Sequence, residues 1–200
     1  MIAIVDYGVG NLASVERALR RAGAREIRIT DDAAAIRTAT AVVLPGVGHF
    51  GHCAGELRAR GLDVAVRDAH AAGRPLLGLC VGMQLLFERS EEDPSAEGLG
   101  LARGTVRRLR APRVPHTGWN TVSLRTAHPW LGDVRDGSHF YFVHAYAPEA
   151  DGETTVATTD HGGTFASIVA GPGFLGLQFH PEKSSLAGTR LLHGVLRAVA

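Results

Sequence analysis

Gly78-Leu79-Cys80-Val81-Gly82-Met83-Gln84 is the stretch whose reading decides the fold. Pro75-Leu76-Leu77 before it is a short apolar run that reads as the end of a buried strand. Leu85-Leu86-Phe87-Glu88 after it carries no breaker, so the pattern predicts a helix running to about Arg89. A cysteine therefore falls where a buried strand turns sharply into a helix. Gly-x-Cys-x-Gly is the thiol counterpart of the Gly-x-Ser-x-Gly nucleophile elbow, in which the glycines let strand and helix pass closely and the nucleophile projects from the turn. Unpaired N–H groups and a partial positive charge at the helix start favour thiolate over thiol. The alternative is a small buried cysteine between packing glycines, and the short motif alone does not choose between the two.

Upstream, strands and helices alternate. Ile2–Val5 reads as a buried strand, and Leu12, Val15, Leu19 and Ala22 mark the apolar stripe of a helix closed by Gly23. A strand over 26–30, an Ala-rich helix over 32–38 and a buried strand over 41–44 follow. Helices through Leu57 and over 64–72 then lead to the Cys80 strand. Such alternation calls for a parallel sheet covered by helices on both faces. Gly8-x-Gly10-x-x-Ala13 has the form of a dinucleotide fingerprint, with Asp31 and Asp32 near the place of its acid. As an adjacent pair those aspartates read better as the N-cap of the next helix, which favours a tight turn over a nucleotide site.

The third strand ends in Pro45-Gly46-Val47-Gly48-His49-Phe50. Glycines on both sides of Val47 make a loop able to turn backbone N–H groups into a cavity, as an oxyanion hole requires, although it also reads as an ordinary turn. His49, His52 and Cys53 crowd one turn with no convincing distant ligand, so they read as helix decoration and no metal is expected.

Residues 90–100 are polar and turn-rich and read as a surface loop. Beyond Leu101 the helical spacing stops. Short segments at 104–109, 119–124, 140–146, 154–159, 165–169 and 174–179 predict antiparallel strands, added to the edge of the parallel sheet or folded into a smaller second sheet. A last helix is expected over 186–199. With 200 residues and no linker, repeat or low-complexity tract, one domain over 1–200 is expected. A net charge of +1 with interspersed signs argues against nucleic acid or an anionic membrane as partner. Two cysteines imply no disulfide framework, Asp6 comes too early for a signal peptide, and no apolar run approaches transmembrane length. A cytoplasmic protein is expected.

Phe174-Leu175-Gly176-Leu177-Gln178-Phe179 stops at His180-Pro181-Glu182. Pro181 biases His180 towards extended geometry, where residues two apart face the same way. Glu182 can then accept a hydrogen bond from one imidazole nitrogen and leave the other for a nucleophile, the Cys/His/acid arrangement of covalent catalysis. A surface histidine beside a solvated glutamate is the alternative. Position tilts the balance: the Gly46 loop, the Cys80 elbow and His180 each follow a predicted strand at its carboxyl end, where parallel α/β sheets carry their sites.

Together, Pro-Gly-Val-Gly-x-Phe, Gly-Leu-Cys-x-Gly-Met-Gln and Gln-Phe-His-Pro-Glu-Lys-Ser, in this order over nearly the whole chain, resemble the class I (triad) glutamine amidotransferases. Asp6-Tyr7-Gly8-Val9-Gly10-Asn11-Leu12, Pro115-His116-Thr117-Gly118-Trp119-Asn120 and Tyr141-Phe142-Val143-His144-Ala145-Tyr146 narrow the resemblance to the glutaminase subunits of imidazole glycerol phosphate synthases. Position 145 departs from that family, being alanine where a small hydroxyl residue is more usual. The resemblance implies a flavodoxin-like fold with a central, mostly parallel sheet. It also implies cofactor-free hydrolysis of L-glutamine by Cys80, His180 and Glu182. Gly46, Val47, Gly48 and Val81 would surround the oxyanion, and Gln84 and Tyr146 would hold the substrate. A (βα)₈ cyclase subunit would dock at Asn11, Trp119, Tyr141 and Lys183 as a heterodimer. A glutaminase of another amidotransferase, a stand-alone γ-glutamyl cysteine hydrolase, or a non-catalytic nucleotide-binding module using Gly8 and Gly10 are the competing readings.

Overall fold

The computed structural model describes residues 1–199. Four strands, β1 (Ile2–Val5), β2 (Ile27–Thr30), β3 (Ala41–Gly46) and β4 (Leu76–Cys80), alternate with α1 (Leu12–Arg21), α2 (Ala33–Thr38), α3 (Phe50–Ala59) and α4 (Leu62–Ala71). They pair in parallel in the order β2-β1-β3-β4. Side chains alternate between two cores, as buried parallel strands require. Ala3, Val5, Leu76 and Cys80 face Phe50, Leu57, Leu62 and Val66 of α3 and α4. Ile4, Leu77 and Leu79 face the opposite way, towards Val15 and Leu19 of α1. Each fully buried side chain of this size contributes roughly 1.5–3 kcal/mol. The carboxylate of Asp32 caps α2 by accepting from the Ala34 N–H at 2.9 Å, so this acid closes a helix end and does not serve a ribose.

The helix predicted to run from Cys80 to Arg89 stops after four residues, α5 (Val81–Gln84), and is followed by a strand, β5 (Phe87–Ser90). The cause is non-local. The carbonyls of Leu85 and Leu86, which a longer helix would use internally, accept instead from the N–H groups of Leu99 at 2.7 Å and Leu101 at 2.8 Å. The stretch read as a surface loop likewise contains a strand, β6 (Asp93–Glu97), antiparallel to β5.

The remaining strands are β7 (Ala102–Arg108), β8 (His116–Thr121), β9 (Ser123–Leu124), β10 (His139–His144), β11 (Tyr146–Pro148), β12 (Thr155–Asp160), β13 (Thr164–Gly171) and β14 (Phe174–Leu177). Both arrangements open to them from the sequence occur. In the main sheet β13, β12 and β9 add an antiparallel extension, while β8 pairs with β10 and β11-β7-β5-β6 forms a third sheet. β14 differs from the antiparallel expectation: it lies parallel to β4 and joins the two parts of the eight-stranded sheet. The chain closes with α6 (Ser185–Val199), whose Leu191, Leu192 and Val195 complete the α1 side of the core. Among the described residues, no helix is long and apolar enough to cross a membrane.

Candidate active site

Strand register builds the site. Gly46 at the end of β3 pairs with Cys80 at the end of β4. On the other side Leu177 pairs with Leu79, so the chain leaving β14 passes directly by Cys80. Cys80 has φ 53° and ψ −112°, a conformation that a residue with a β-carbon adopts only under strain. Three glycines hold it there. A Cβ on Gly82 would fall on the Leu44 carbonyl oxygen, and one on Gly46 would lie 2.6 Å from the Gly82 nitrogen. One on Gly78 would lie 2.7 Å from the Gly82 oxygen. Strand and helix thus touch backbone to backbone, which only glycine permits. With α5 so short, the helix dipole adds little, and the positive character beside the sulfur is that of the free N–H groups of its first turn.

His180 is extended, with φ −101° and ψ 94° ahead of Pro181. Its Nδ1 lies 2.8 Å from Glu182 Oε1, and the two side chains are only 5% and 4% exposed. That contact puts a proton on Nδ1, and the buried Nε2 has no hydrogen-bond partner in the protein. Burial alone would depress the imidazole, but the neighbouring Cys80 sulfur, ahead of the Glu182 carboxylate, outweighs it and raises His180 to about 10. The backbone is pinned on both sides. The His180 N–H donates to Tyr141 O at 2.9 Å. The Ser184 hydroxyl donates to His180 O at 2.6 Å and accepts from the Tyr141 N–H at 3.0 Å.

Cys80 and His180 border one cavity of about 150 Å³, together with Val47, Gly48, Val81, Gln84 and Tyr146. Of the loop glycines, Gly46 lies outside this lining, behind it, in a gap shared with Asn11, Glu182 and Lys183. Two loop carbonyls are tied from below: Pro45 O accepts from the Tyr7 hydroxyl at 2.6 Å and Val47 O from the Cys53 thiol at 3.4 Å. Burial pushes the Cys53 thiol up to about 11, so it stays a donor. In a trans peptide N–H and C=O point oppositely, so the Gly48 N–H faces away from Cys53. Gln84 is less free than its position suggested, because its Nε2 donates to Tyr146 O at 2.9 Å and to Gln178 Oε1 at 3.2 Å.

The sequence reading missed four residues here. Gln178 Nε2 lies 3.8 Å from Cys80 Sγ, a placement signalled by its being two residues before His180. Glu92 brings a carboxylate to the cavity wall and accepts from the Phe50 N–H at 2.7 Å; it was hidden in the supposed loop. His144 also lines the cavity, held neutral because burial, ahead of its histidine neighbours, pushes it down to about 3. Ser184 is the clamp described above. Of the possible metal ligands, His49 caps α3 through the Gly51 N–H at 3.2 Å and Cys53 points into the core. Among the described residues, no group of three or more His, Cys, Asp or Glu is arranged to hold a metal ion.

The four rim residues fall together. Trp119 is 54% exposed. Its ring stands edge-on to Tyr141 at 6.2 Å, and Lys183 Nζ lies 5.8 Å from the centre of the Tyr141 ring. Asn11 caps α1 and shares the gap behind Glu182 with Lys183.

The model of the glutamine amidotransferase class-I family matches residues 3–197. Among solved structures, a glutamine amidotransferase superposes with a TM-score of 0.79 at 21% identity over 100% of this chain and 99% of that one. PurLQS from Thermotoga maritima gives 0.73 at 17% identity over 100% of this chain and 98% of that one. At these identities the structural likeness speaks to the fold. The chain belongs to the class-I glutamine amidotransferase family and is a glutamine-hydrolysing enzyme. Imidazole glycerol phosphate synthase subunit HisH of Symbiobacterium thermophilum is 50% identical, over 96% of this chain and 91% of its own length. HisH of Thermococcus kodakarensis is 45% identical, over 98% and 100%. Within the class, its family is therefore that of the HisH subunits.

Proposed function

We propose that this cavity hydrolyses L-glutamine by covalent catalysis at Cys80, and that the ammonia passes to a second subunit. The Cys80 thiolate attacks the side-chain carboxamide carbon. The oxyanion is met by the N–H of Val81 and by one from the Gly46-Val47-Gly48 loop, for which the Gly48 N–H is suited by facing away from Cys53. Losing one such donor typically costs about 10²–10³ in kcat. His180 gives its proton to the departing ammonia and then takes one from the water that hydrolyses the thioester. Glu182 fixes the imidazole tautomer and stabilises its cation. Glu92 is suited to the substrate's α-ammonium group by charge, and Tyr146 and Gln84 to orienting the substrate. The observation that carries this reading is the shared cavity: a strained cysteine and a carboxylate-paired histidine border it from the ends of neighbouring parallel strands.

Free ammonia in water is protonated and lost, so a partner that consumes it is expected. The HisH relatives are subunits of imidazole glycerol phosphate synthase. We infer the same assembly here, a heterodimer with a (βα)₈ cyclase in the cytoplasm. The cyclase would join ammonia to a phosphoribulosyl aminoimidazole carboxamide nucleotide. Its products would be imidazole glycerol phosphate and an aminoimidazole carboxamide ribonucleotide, in histidine biosynthesis. The exposed Trp119, with Asn11, Tyr141 and Lys183 beside it, supports docking on that rim, since aromatic anchors dominate such contacts. The test is Cys80→Ala or Cys80→Ser in the assembled complex. Glutamine-dependent synthesis is expected to vanish while synthesis from added ammonium salts persists; a folded complex that refuses both would overturn the assignment of roles.

A further inference from the structure

The cavity's second histidine takes no part in the steps above, yet its surroundings leave only one arrangement of protons. His144 Nδ1 lies 2.9 Å from the Tyr146 carbonyl oxygen, which can only accept, so Nδ1 carries the proton and Nε2 is bare. That bare nitrogen lies 3.1 Å from His116 Nδ1, which must therefore donate, leaving His116 Nε2 bare in turn. Asn120 Nδ2 stands 3.2 Å from it and also donates to Asp160 O at 2.8 Å. Its Oδ1 accepts from the Thr121 N–H at 2.8 Å, so turning the amide over would set donor against donor. The result is a one-way chain of neutral groups, from Asn120 through His116 and His144 to the Tyr146 carbonyl.

Strand pairing builds this chain. β8 and β10 place His116 directly opposite His144, and the two are 3% and 6% exposed. His116 is stacked against Phe142 at 4.8 Å and against His161 at 4.2 Å, while Phe165 stands edge-on to both rings of the pair. At its inner end the Tyr146 carbonyl also accepts from Gln84, which leads through Gln178 to the Cys80 sulfur. At its outer end Asn120 follows the exposed Trp119 on the rim.

We propose that Asn120 and His116 are positioning residues that hold His144 neutral and fix the Tyr146 carbonyl, so that His180 is the only imidazole cation beside Cys80. The proposal rests on reading the cavity as the glutamine site. The titratable groups facing His144 are Cys80, Glu92 and His180 around the cavity and His116 on β8, with His161 beyond; His161 also faces His116. A proton added to either ring would point an N–H at another N–H. Burial and the neighbouring His161 act in the same direction, lowering His116 to about 4. A cationic His144 would compete with the substrate ammonium for Glu92 and oppose the charge on His180.

The test combines ¹⁵N-histidine NMR of the full chain with two variants of equal size. At neutral pH both rings should be neutral with the proton on Nδ1. His116→Asn keeps an N–H donor in the place of Nδ1 and should leave the glutamine KM of the assembled complex within about threefold. His116→Asp puts an acceptor there, should draw a proton onto His144 Nε2, and should raise KM about tenfold. A cationic ring or an Nε2–H tautomer in the unsubstituted chain would overturn the proposal. So would Asn and Asp variants with the same KM and the same His144 spectrum. The tautomers are read without substrate, so a failure of the glutamine assignment leaves them standing.

Discussion

His180 and His144 border the same cavity and are both buried, but they differ in what faces Nδ1. For His180 it is the Glu182 carboxylate at 2.8 Å; for His144 it is the Tyr146 backbone carbonyl at 2.9 Å. Both acceptors orient the ring and fix its tautomer. The Tyr146 carbonyl brings no charge, whereas at His180 the Cys80 sulfur and then the Glu182 carboxylate offset the cost of burying an imidazolium, so one ring is raised to about 10 and the other lowered to about 3. The walls differ in construction as well. The Cys80 side is set by backbones in contact at glycines, whereas the His144 side is set by a chain of side-chain hydrogen bonds across a strand pair.

The sharpest way to break this comparison is to give His180 the surroundings of His144. Glu182→Gln replaces the carboxylate by an amide whose carbonyl can orient Nδ1 without charge. We expect kcat for glutamine to fall on the order of 10³-fold while the ammonia-dependent reaction of the complex persists. A fall of less than about tenfold in steady-state assays would mean that orientation alone suffices and that the charge difference between the rings is incidental.

Construction of the Cys80 wall is tested by Gly82→Ala. The new methyl meets the Leu44 carbonyl, and neither partner is a flexible side-chain end that can give way. A loss of about 2–3 kcal/mol is expected in chemical denaturation, with glutamine turnover falling as the elbow shifts. An alanine variant as stable as the parent would show that backbone contact does not hold the cysteine in place.

Proton binding to the folded chain should carry the same contrast. His180 is raised above its ordinary value, so its stabilisation is complete below about pH 6.5 and is lost as pH rises through about 10. His144 and His116 are lowered to about 3 and about 4, so the unfolded chain takes up protons that the native chain refuses. Their contribution is complete above about pH 6.5 and declines as pH falls below it. His116→Asn removes one of these rings and should make the acid limb of stability against pH shallower by about one proton. Denaturant titrations between about pH 4.5 and 7 measure this slope; an unchanged slope would place a proton on His116 in the native state.

The Cys80 wall was the more legible in the sequence, because its signals are local. Alternating strands and helices, the glycines around Cys80 and the two-residue spacing of His180 and Glu182 each act within a few residues. What failed depended on distant partners. Leu85 and Leu86 look helical until Leu99 and Leu101 take their carbonyls, and that turned the supposed loop into a strand and concealed Glu92. His116 and His144 are 28 positions apart and meet only through the β8–β10 register. No periodicity in either segment reports that they share a proton chain. Ser184 is a third case, since its hydroxyl joins His180 to Tyr141 across 43 positions.

The smallest effect is expected at Ala145, where the sequence reading expects a small hydroxyl residue. Ala145 lies in the cavity wall between His144 and Tyr146, and its carbonyl is already engaged by the Leu109 N–H at 2.9 Å. The backbone there is fixed, so Ala145→Ser changes only what the side chain offers. A hydroxyl reaching the bound amino acid would add one hydrogen bond, with a net value of about 0.5–1.5 kcal/mol, and the glutamine KM should fall about threefold. Because that bond would form equally in the ground and transition states, kcat should stay constant. A change in kcat with KM unmoved would instead give the His144 wall a part in the chemical step, and the division between a wall that binds and a wall that reacts would have to be redrawn.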